Sequence, residues 1–273
     1  MKIMIAADME GISGVVAWDH VSSSHPEYAR FRKLMTADVN AAIKGALKAD
    51  VDEILVVDGH GSGRNILIEE LHPQACLHSG NAAPFAMVQG VGSDVDAAMF
   101  IGYHARVGST PAILDHTWSS KDVANVWLNG KIIGETGLNA AVCAHYGVPV
   151  IMVSGDQTLA AEVEETIPGA ETAIVKLATS HQSATCFSVL ESARRIHEAA
   201  ERAVHRFRNG EGPKPYVVSK PVTITVELKT SGMVDGAQLM PNAKRLDARR
   251  IEFESPDMLQ AYHAFRSLVN MAF

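Results

Sequence analysis

The chain has 273 residues, of which 47% are hydrophobic and 20% charged, so it can bury a substantial core without relying on disulfides. Its 24 lysines and arginines against 31 acidic residues give a net charge of −7, which disfavours nucleic acid as a partner. The three cysteines are widely spaced, with no CxxC pair, so neither a disulfide framework nor a thiolate zinc site is indicated. No apolar run is long enough to span a membrane, and the first residues read as a strand rather than a secretion signal. We therefore expect a cytoplasmic protein.

Short apolar runs alternate with longer amphipathic ones, which is typical of strands joined by helical crossovers into a mostly parallel sheet. Runs rich in Val, Ile, Ala and Met are predicted to be central strands at residues 2–7, 53–57, 97–101 and 149–154. Amphipathic spacing predicts helices at residues 27–49, 134–146 and 158–166. A hairpin is predicted at residues 123–133, because Asn129-Gly130 is a two-residue turn that favours positive φ. The hairpin would make the sheet mixed.

The C-terminal third changes character. A predicted helix at 188–208 is followed by a Gly- and Pro-bearing break at 209–215 and by alternating strands at 222–228 and 249–253. The final predicted helix, at 255–271, opens with Ser-Pro-Asp, a helix-start signal. We therefore predict an α/β fold with a mostly parallel central sheet flanked by helices. Residues 1–185 would form this metal-binding domain, for the reasons that follow, and residues 186–273 a smaller α+β unit.

Carboxylates and imidazoles follow successive predicted strands, at the ends where ligands bind in open α/β sheets. Asp8 and Glu10 follow the first strand and, two residues apart, face the same way. His60 follows the second strand, His104 follows the third, and Glu135 opens a helix. Individually these residues have ordinary explanations, such as helix capping, a solvated loop or a buried hydrogen-bonded histidine. Their convergence at neighbouring strand ends favours a metal site.

The ligand types indicate which metal and how many ions. Two carboxylates held together need a cation, and adjacent imidazoles favour zinc over magnesium or calcium. Five ligands are one more than a closed tetrahedral site takes. If Asp8 bridges two ions, each has three protein ligands and an open position. Two ions about 3.5 to 4 Å apart can share a hydroxide and polarise a carbonyl, so the pattern predicts a dinuclear zinc hydrolase.

The same residues lie in motifs that resemble the zinc-dependent D-aminopeptidases of bacterial dipeptide-transport operons, whose signature is SxDxEG. Residues 6–11 read AADMEG, with Ala6 in place of the family's serine. The similarity continues through DGH at 58–60, LHP at 71–73, GYHAR at 102–106, GETGLNA at 134–140 and DMLQAY at 257–262, and so covers essentially the whole chain. Ala6 offers no metal ligand, so this departure concerns only hydrogen bonding around the metal.

The resemblance implies a division of the ligands between two zinc ions. Asp8 would bridge both ions. Glu10 and His104 would complete one site, and His60 and Glu135 would complete the other. The resemblance also implies a preference for D-residues and a ring-stacked homo-oligomeric decamer that encloses its active sites and admits short peptides or amino-acid amides.

The resemblance further implies a catalytic role for His116, which the family uses as a nucleophile. A histidine beside a dizinc hydroxide could equally shuttle a proton or stabilise the oxyanion. Asp115 could orient His116, although adjacent residues of an extended loop point apart. Asn139 could hold Glu135 or bind substrate, being four residues further along the helix. Asp156, at another strand end, could pair with a substrate ammonium or cap the next helix.

Other functions remain open on the sequence. Chirality depends on the pocket walls, so an L-aminopeptidase or a metal-dependent amidase on another small amide is an alternative. A dizinc phosphoesterase would need cations near the metals, and Arg106 is the only obvious one. A non-catalytic peptide-binding protein is the third alternative, but it would not use open metal positions.

Overall fold

The computed structural model describes residues 1–80 and 83–272, which form two sheets and the helices that pack on them. The strands in chain order are β1 (Lys2–Ala7), β2 (Glu53–Asp58), β3 (Ala75–His78), β4 (Ala97–Ile101), β5 (Val123–Leu128), β6 (Lys131–Ile132), β7 (Val150–Asp156), β8 (Glu171–Ser180), β9 (Ser183–Cys186), β10 (Val222–Leu228), β11 (Lys244–Arg245) and β12 (Arg250–Ser255). The α-helices are α1 (Trp18–Val21), α2 (Tyr28–Lys48), α3 (Glu135–His145), α4 (Gln157–Thr166), α5 (Val189–Arg208), α6 (Ser231–Ala237) and α7 (Met258–Asn270).

The larger sheet has seven strands in the order β3-β2-β1-β4-β7-β8-β9, all parallel except the edge strand β9. It is covered on both faces, because alternate residues of β1 enter separate cores. Ile3 and Ile5 pack in the core that contains α2 and α5, whereas Met4 and Ala6 pack in the core that contains α3, α4 and α7. The predicted α/β architecture, a mostly parallel sheet flanked by helices, is confirmed.

The smaller sheet is antiparallel, with the order β11-β12-β10-β5-β6, and α7 packs against β10 and β12. The hairpin predicted around Asn129-Gly130 is present, with φ of 48° and 76° at these two residues. It belongs to the smaller sheet, however, because β5 pairs with β10 and not with a strand of the parallel sheet. The larger sheet is mixed for a different reason, which is the antiparallel pairing of β8 with β9.

The two sheets do not divide the chain at a single point. The smaller sheet combines β5 and β6 with strands from the C-terminal region, while α5 packs on α2 beside the larger sheet. The division into residues 1–185 and 186–273 stays a prediction. In the part of the chain that the structure describes, no helix is long and apolar enough to cross a membrane.

The strand order creates a crevice between β1 and β4. From β1 the chain proceeds to β2 on one side and later returns to β4 on the other, which is the switch point where α/β sheets bind ligands. Backbone bonds join the strand ends there: Asp8 N–H donates to the Ile101 carbonyl, and Gly59 N–H to the Ala7 carbonyl, both at 2.8 Å. The residues that leave β1, β2 and β4 are therefore held side by side.

Candidate metal centre

The five predicted ligands meet at this crevice, although they come from four separate stretches of chain. His60 Nδ1 lies 3.2 Å from Asp8 Oδ1 and 3.1 Å from Glu10 Oε2. His104 Nε2 lies 3.5 Å from Asp8 Oδ2 and 3.1 Å from Glu135 Oε1. Asp8, Glu10, His104 and Glu135 are buried, and His60 is nearly so. Four of the five, Asp8, Glu10, His60 and Glu135, line a pocket of about 390 Å³.

The distances allow two divisions of the ligands between ions, and one of them contains a trio that the family resemblance implies. His60 lies beside Glu10, His104 lies beside Glu135, and Asp8 contacts both imidazoles through different carboxylate oxygens. Ligand atoms of Asp8, Glu10 and His104 also lie within 4.8 Å of one another, so this trio too could hold an ion. Both groupings place Asp8 between two positions. The assignment of ligands to individual ions stays a prediction.

Glycines allow the β1 and β4 exits to approach closely. A Cβ on Gly11 would lie 1.8 Å from the Tyr103 carbonyl oxygen, and one on Gly102 would lie 2.3 Å from the Asp8 carbonyl oxygen. Gly102 also has φ of +74°, a conformation that side-chain-bearing residues rarely adopt. The glycine of the SxDxEG-like motif is thus required for backbone contact.

Buried charges from two other elements hold the loop that carries Glu10. Lys176 of β8 is fully buried, and its ammonium donates to the carbonyls of Glu10 (2.5 Å), Ile12 (3.0 Å) and Val15 (2.7 Å). Asp38 of α2 accepts from the backbone N–H and hydroxyl of Ser13. Burial raises the pKa of Asp38 to about 6. The sequence analysis missed both residues, because a lysine inside a strand and an acid inside a helix give no local signal of this contact.

Each of the three imidazoles of the site donates a hydrogen bond from one ring nitrogen to a backbone carbonyl. The pairs are His60 Nε2 to Val21 (2.9 Å), His104 Nδ1 to Ala105 (3.0 Å) and His116 Nδ1 to Leu114 (2.8 Å). Because a carbonyl only accepts, each of these nitrogens carries the proton. The opposite nitrogen of each ring faces the carboxylate cluster, as a metal ligand or a base requires.

The donor set fits a metal. His104 Nε2 is buried and, among the described residues, makes no hydrogen bond, although it lies 3.1 Å from Glu135 Oε1. A buried nitrogen lone pair aimed at carboxylates is costly unless a cation lies between them. Three buried carboxylates with two imidazoles supply the nitrogen and oxygen ligands that zinc accepts.

The electrostatics of the cluster show how strongly it demands positive charge. Burial and the neighbouring Glu10 raise the pKa of Asp8 to about 7. Burial opposes the imidazolium of His104, but the charge and close contact of Glu135, together with the charges of Asp8 and Glu10, outweigh it and raise the pKa of His104 to about 10. The pKa of His60 is raised in the same way by Glu10 and Asp8. Protons on these histidines therefore supply the positive charge that a metal cation would otherwise bring to the carboxylates.

His116 lies against the cluster on a strained loop. Its ring stacks on His104 with centroids 4.0 Å apart, and its Nε2 is 3.8 Å from Glu135 Oε1. The flanking residues Leu114 and Trp118 have φ of 49° and 66°, and strain of this kind concentrates at functional sites. Burial and the charge of His104 lower the pKa of His116. His116 is therefore neutral near pH 7, with Nε2 able to accept a proton.

Asp115 does not orient His116. Its carboxylate binds His181 Nδ1 at 2.7 Å and the N–H of Gly108 at 2.8 Å. This agrees with the expectation that adjacent side chains of an extended loop point apart.

The remaining candidates have structural roles. Asp156 caps α4 by accepting from the N–H groups of Thr158 and Leu159, so the capping alternative is the one observed. The Asn139 side chain donates to the Tyr103 hydroxyl at 3.1 Å, and its hydrogen bonds among the described residues do not include the Glu135 carboxylate. Arg106 lies 3.9 Å from the Glu162 carboxylate and does not line the pocket. Asp58 accepts from the N–H groups of residues 65 and 66, which fixes the loop after His60.

The pocket wall contains two cations that the sequence analysis did not identify, Lys121 and Arg266. Lys121 follows the His116 loop, and Arg266 lies on α7, far away in sequence. Neither forms a motif with the metal ligands. Only the folded chain brings them to the same pocket.

Fold and site together define a metal-dependent hydrolase. Comparison with known proteins narrows the class, because residues 1–267 match the D-aminopeptidase family of peptidases. The chain belongs to this family, so the resemblance seen in its motifs is confirmed.

Two known proteins show how complete the likeness is. A D-aminopeptidase of Bacillus subtilis strain 168 is 36% identical over 273 residues, which is 100% of this chain and 98% of the relative. The solved structure of DppA from Bacillus subtilis, a zinc-dependent D-aminopeptidase and self-compartmentalizing protease, matches with a TM-score of 0.95. The match to DppA has 36% identity and covers 100% of this chain and 98% of that one.

Proposed function

We propose that this protein is a dinuclear zinc aminopeptidase that removes the N-terminal residue of short peptides, with a preference for D-residues. The observation that carries the proposal is the meeting of three buried carboxylates and two imidazoles around the orphaned Nε2 of His104. Membership of the D-aminopeptidase family supports the peptidase activity and the stereochemical preference.

We assign the ligand sets from the shortest distances between imidazoles and carboxylates, and the alternative is the division that the family resemblance implies. Asp8, Glu10 and His60 would hold one zinc ion, and Asp8, His104 and Glu135 the other. Zinc in such a site polarises the scissile carbonyl and lowers the pKa of water. Trp118 N–H donates to Glu135 Oε1 at 2.7 Å, which fixes this carboxylate in place. The hydrogen bonds from His60 to Val21 and from His104 to Ala105 orient the two imidazoles.

His116 is assigned the proton transfer. Its Nδ1 is held by the Leu114 carbonyl, so only Nε2, which faces the cluster, can take up a proton. A neutral imidazole at this position can accept the proton that water loses and return it to the leaving amine. The resulting imidazolium would lie beside Glu135, which stabilises it. Direct nucleophilic attack by Nε2 is the competing role, and trapping of a covalent acyl-imidazole would identify it.

Assembly and cellular location complete the proposal. DppA is a self-compartmentalizing protease, and we extend to this chain a homo-oligomer, a decamer, that encloses the active sites and excludes folded proteins. Cytoplasmic localisation stays a prediction from the cysteine usage.

The proposal is tested by metal removal and a substrate panel. Chelation should abolish hydrolysis, and zinc should restore it together with about two metal equivalents per chain. The panel contains paired D- and L-alanyl amides, D- and L-alanyl dipeptides, and p-nitrophenyl phosphate. Release of D-alanine supports the proposal, whereas full activity in a metal-free preparation contradicts it. Preferential release of L-alanine would indicate an L-aminopeptidase, and cleavage of the phosphate ester alone would indicate a phosphoesterase.

A further inference from the structure

Charged side chains of both signs line the active-site pocket. The acidic side chains in the lining are Asp8, Glu10 and Glu135, all of which belong to the metal cluster. The cations Lys121 and Arg266 are on the wall. Metal binding would engage these carboxylates, and among the residues that the structure describes the other charged side chains of the lining are the two cations. A pocket of this kind favours an anionic group on the substrate.

The backbone at Lys121 is held firmly by its neighbours. The Lys229 ammonium donates to the Ser120 carbonyl at 2.8 Å, and Val123 N–H donates to the Ser119 carbonyl at 3.1 Å. The adjacent acid, Asp122, is engaged by the Ser119 hydroxyl at 2.6 Å. Lys121 itself is exposed and has no ion pair among the residues that the structure describes.

The Arg266 guanidinium is held at the pocket by hydrogen bonds to backbone carbonyls. One guanidinium nitrogen donates to the carbonyls of Ala83 and Pro84, both at 2.6 Å. These contacts tie α7 to the segment that carries Met87 into the pocket lining. Because a guanidinium stays protonated, Arg266 adds a permanent positive charge to the wall.

The distance from the metal cluster to Lys121 suits a very short peptide. Trp118 N–H binds Glu135 of the cluster, and Lys121 comes three residues later, so their Cα atoms are at most about 10 Å apart. An extended lysine side chain is about 6 Å long, so an ammonium that turns into the pocket lies closer to the cluster than its own Cα. In an extended dipeptide the terminal carboxylate lies about 4 Å beyond the scissile carbonyl, and each further residue adds about 3.5 Å. The carboxylate of a short peptide and the Lys121 ammonium are therefore comparable distances from the cluster.

We infer that Lys121, supported by the field of Arg266, binds the C-terminal carboxylate of the substrate. A substrate with a free C-terminal carboxylate is then preferred to the corresponding amide. This inference rests on the aminopeptidase function proposed above and adds the recognition of the far end of the substrate. It involves no change in the bond-breaking chemistry.

The test compares a substrate with its uncharged counterpart. The ratio of kcat/KM for D-Ala-D-Ala to that for D-Ala-D-Ala amide is measured in the zinc-loaded wild type, Lys121→Met and Lys121→Glu. We expect wild type to favour the free acid, Lys121→Met to lower the ratio about tenfold and Lys121→Glu to lower it further. The change should lie mainly in KM, since the carboxylate is remote from the reacting bond. Lys131→Met is the matched control, because Lys131 is also exposed but lies outside the pocket lining.

The outcomes separate this inference from the proposed function. An unchanged ratio in both Lys121 variants, with normal hydrolysis of both substrates, would overturn carboxylate recognition and leave the aminopeptidase standing. Failure of wild type to hydrolyse either substrate would instead reject the aminopeptidase itself. A fall in the ratio in Lys131→Met equal to that in Lys121→Met would show a general effect of net charge and would also overturn the inference.

Discussion

Replacing Lys176 with methionine tests whether a buried charge on β8 positions a metal ligand on the loop after β1. The ammonium is, among the described residues, the only hydrogen-bond donor to the carbonyls of Glu10 and Val15. The third carbonyl, of Ile12, also accepts from Val15 N–H and would keep a partner. Methionine has a similar length, so the variant removes the donor without creating a large cavity.

The expected loss of stability follows from two opposing effects. Each buried carbonyl left without a donor costs about 1 to 3 kcal/mol, so the two carbonyls together cost about 2 to 6 kcal/mol. Removing the buried ammonium relieves part of its desolvation cost, which offsets some of that loss. We expect a net decrease of about 2 kcal/mol in the free energy of unfolding. The freed Glu10 should also weaken zinc binding by about 10- to 100-fold.

Urea unfolding of the metal-free protein and zinc titration measure the two effects separately. With a slope of about 3 kcal/mol per M, the midpoint should fall by about 0.7 M. Lys48→Met serves as the control, because Lys48 is 61% exposed in its ion pair with Glu201 and should change stability by less than about 0.5 kcal/mol. A Lys176→Met protein with wild-type unfolding and wild-type zinc affinity would refute the positioning role.

Three further variants probe the ligands, the base and the loop. Asp8→Ala should lose more than one zinc equivalent by elemental analysis, because Asp8 contacts both imidazole ligands. His116→Ala should retain its zinc but lower kcat by about 100-fold or more, the scale of a general base or oxyanion group. Between about pH 4 and 6, the free energy of unfolding should change with pH in wild type through the titration of Asp38, and this change should be absent in Asp38→Asn. The pKa of Asp38 is about 6 in the folded protein and 3.8 when unperturbed, which corresponds to about 3 kcal/mol.

The sign of the Asp38 effect follows from proton linkage. Between about pH 4 and 6 the folded protein binds the Asp38 proton more tightly than the unfolded chain, so this contribution is full below pH 3.8 and disappears as pH rises through 6. As pH rises over that interval, the free energy of unfolding should therefore fall more in wild type than in Asp38→Asn. Parallel plots of this free energy against pH for the two proteins would contradict the assigned role of Asp38.

Loss of a single zinc equivalent in Asp8→Ala would make Asp8 a terminal ligand. Near-normal kcat in His116→Ala would exclude it from the chemistry.

The sequence identified the central strands and the residues at their ends because both signals are local. Buried parallel strands are continuous apolar runs, and a carboxylate or imidazole directly after such a run stands out. Asp8, Glu10, His60 and His104 stand out in this way, whereas Glu135 opens a helix and was assigned through the family resemblance.

The parts that escaped prediction depend on contacts distant in sequence. β8 was missed because its residues mix exposed polar and buried apolar positions, with Lys176 buried where a lysine usually is not. The hairpin at Asn129-Gly130 was found, but its sheet was not, because the pairing of β5 with β10 joins segments about a hundred residues apart. Lys121 and Arg266 carry no pattern at all, and their shared pocket exists only after α7 has packed.

The carbonyls of Val21, Ala105 and Leu114 fix which nitrogen of each imidazole is protonated, and a carbonyl belongs to the main chain whatever the residue. Point mutations at these three positions that preserve the backbone path will therefore leave the tautomers unchanged. The tautomers of the three histidines are therefore insensitive to substitution of the residues that supply these carbonyls. Only changes that move the backbone of the supporting loops can alter the tautomers.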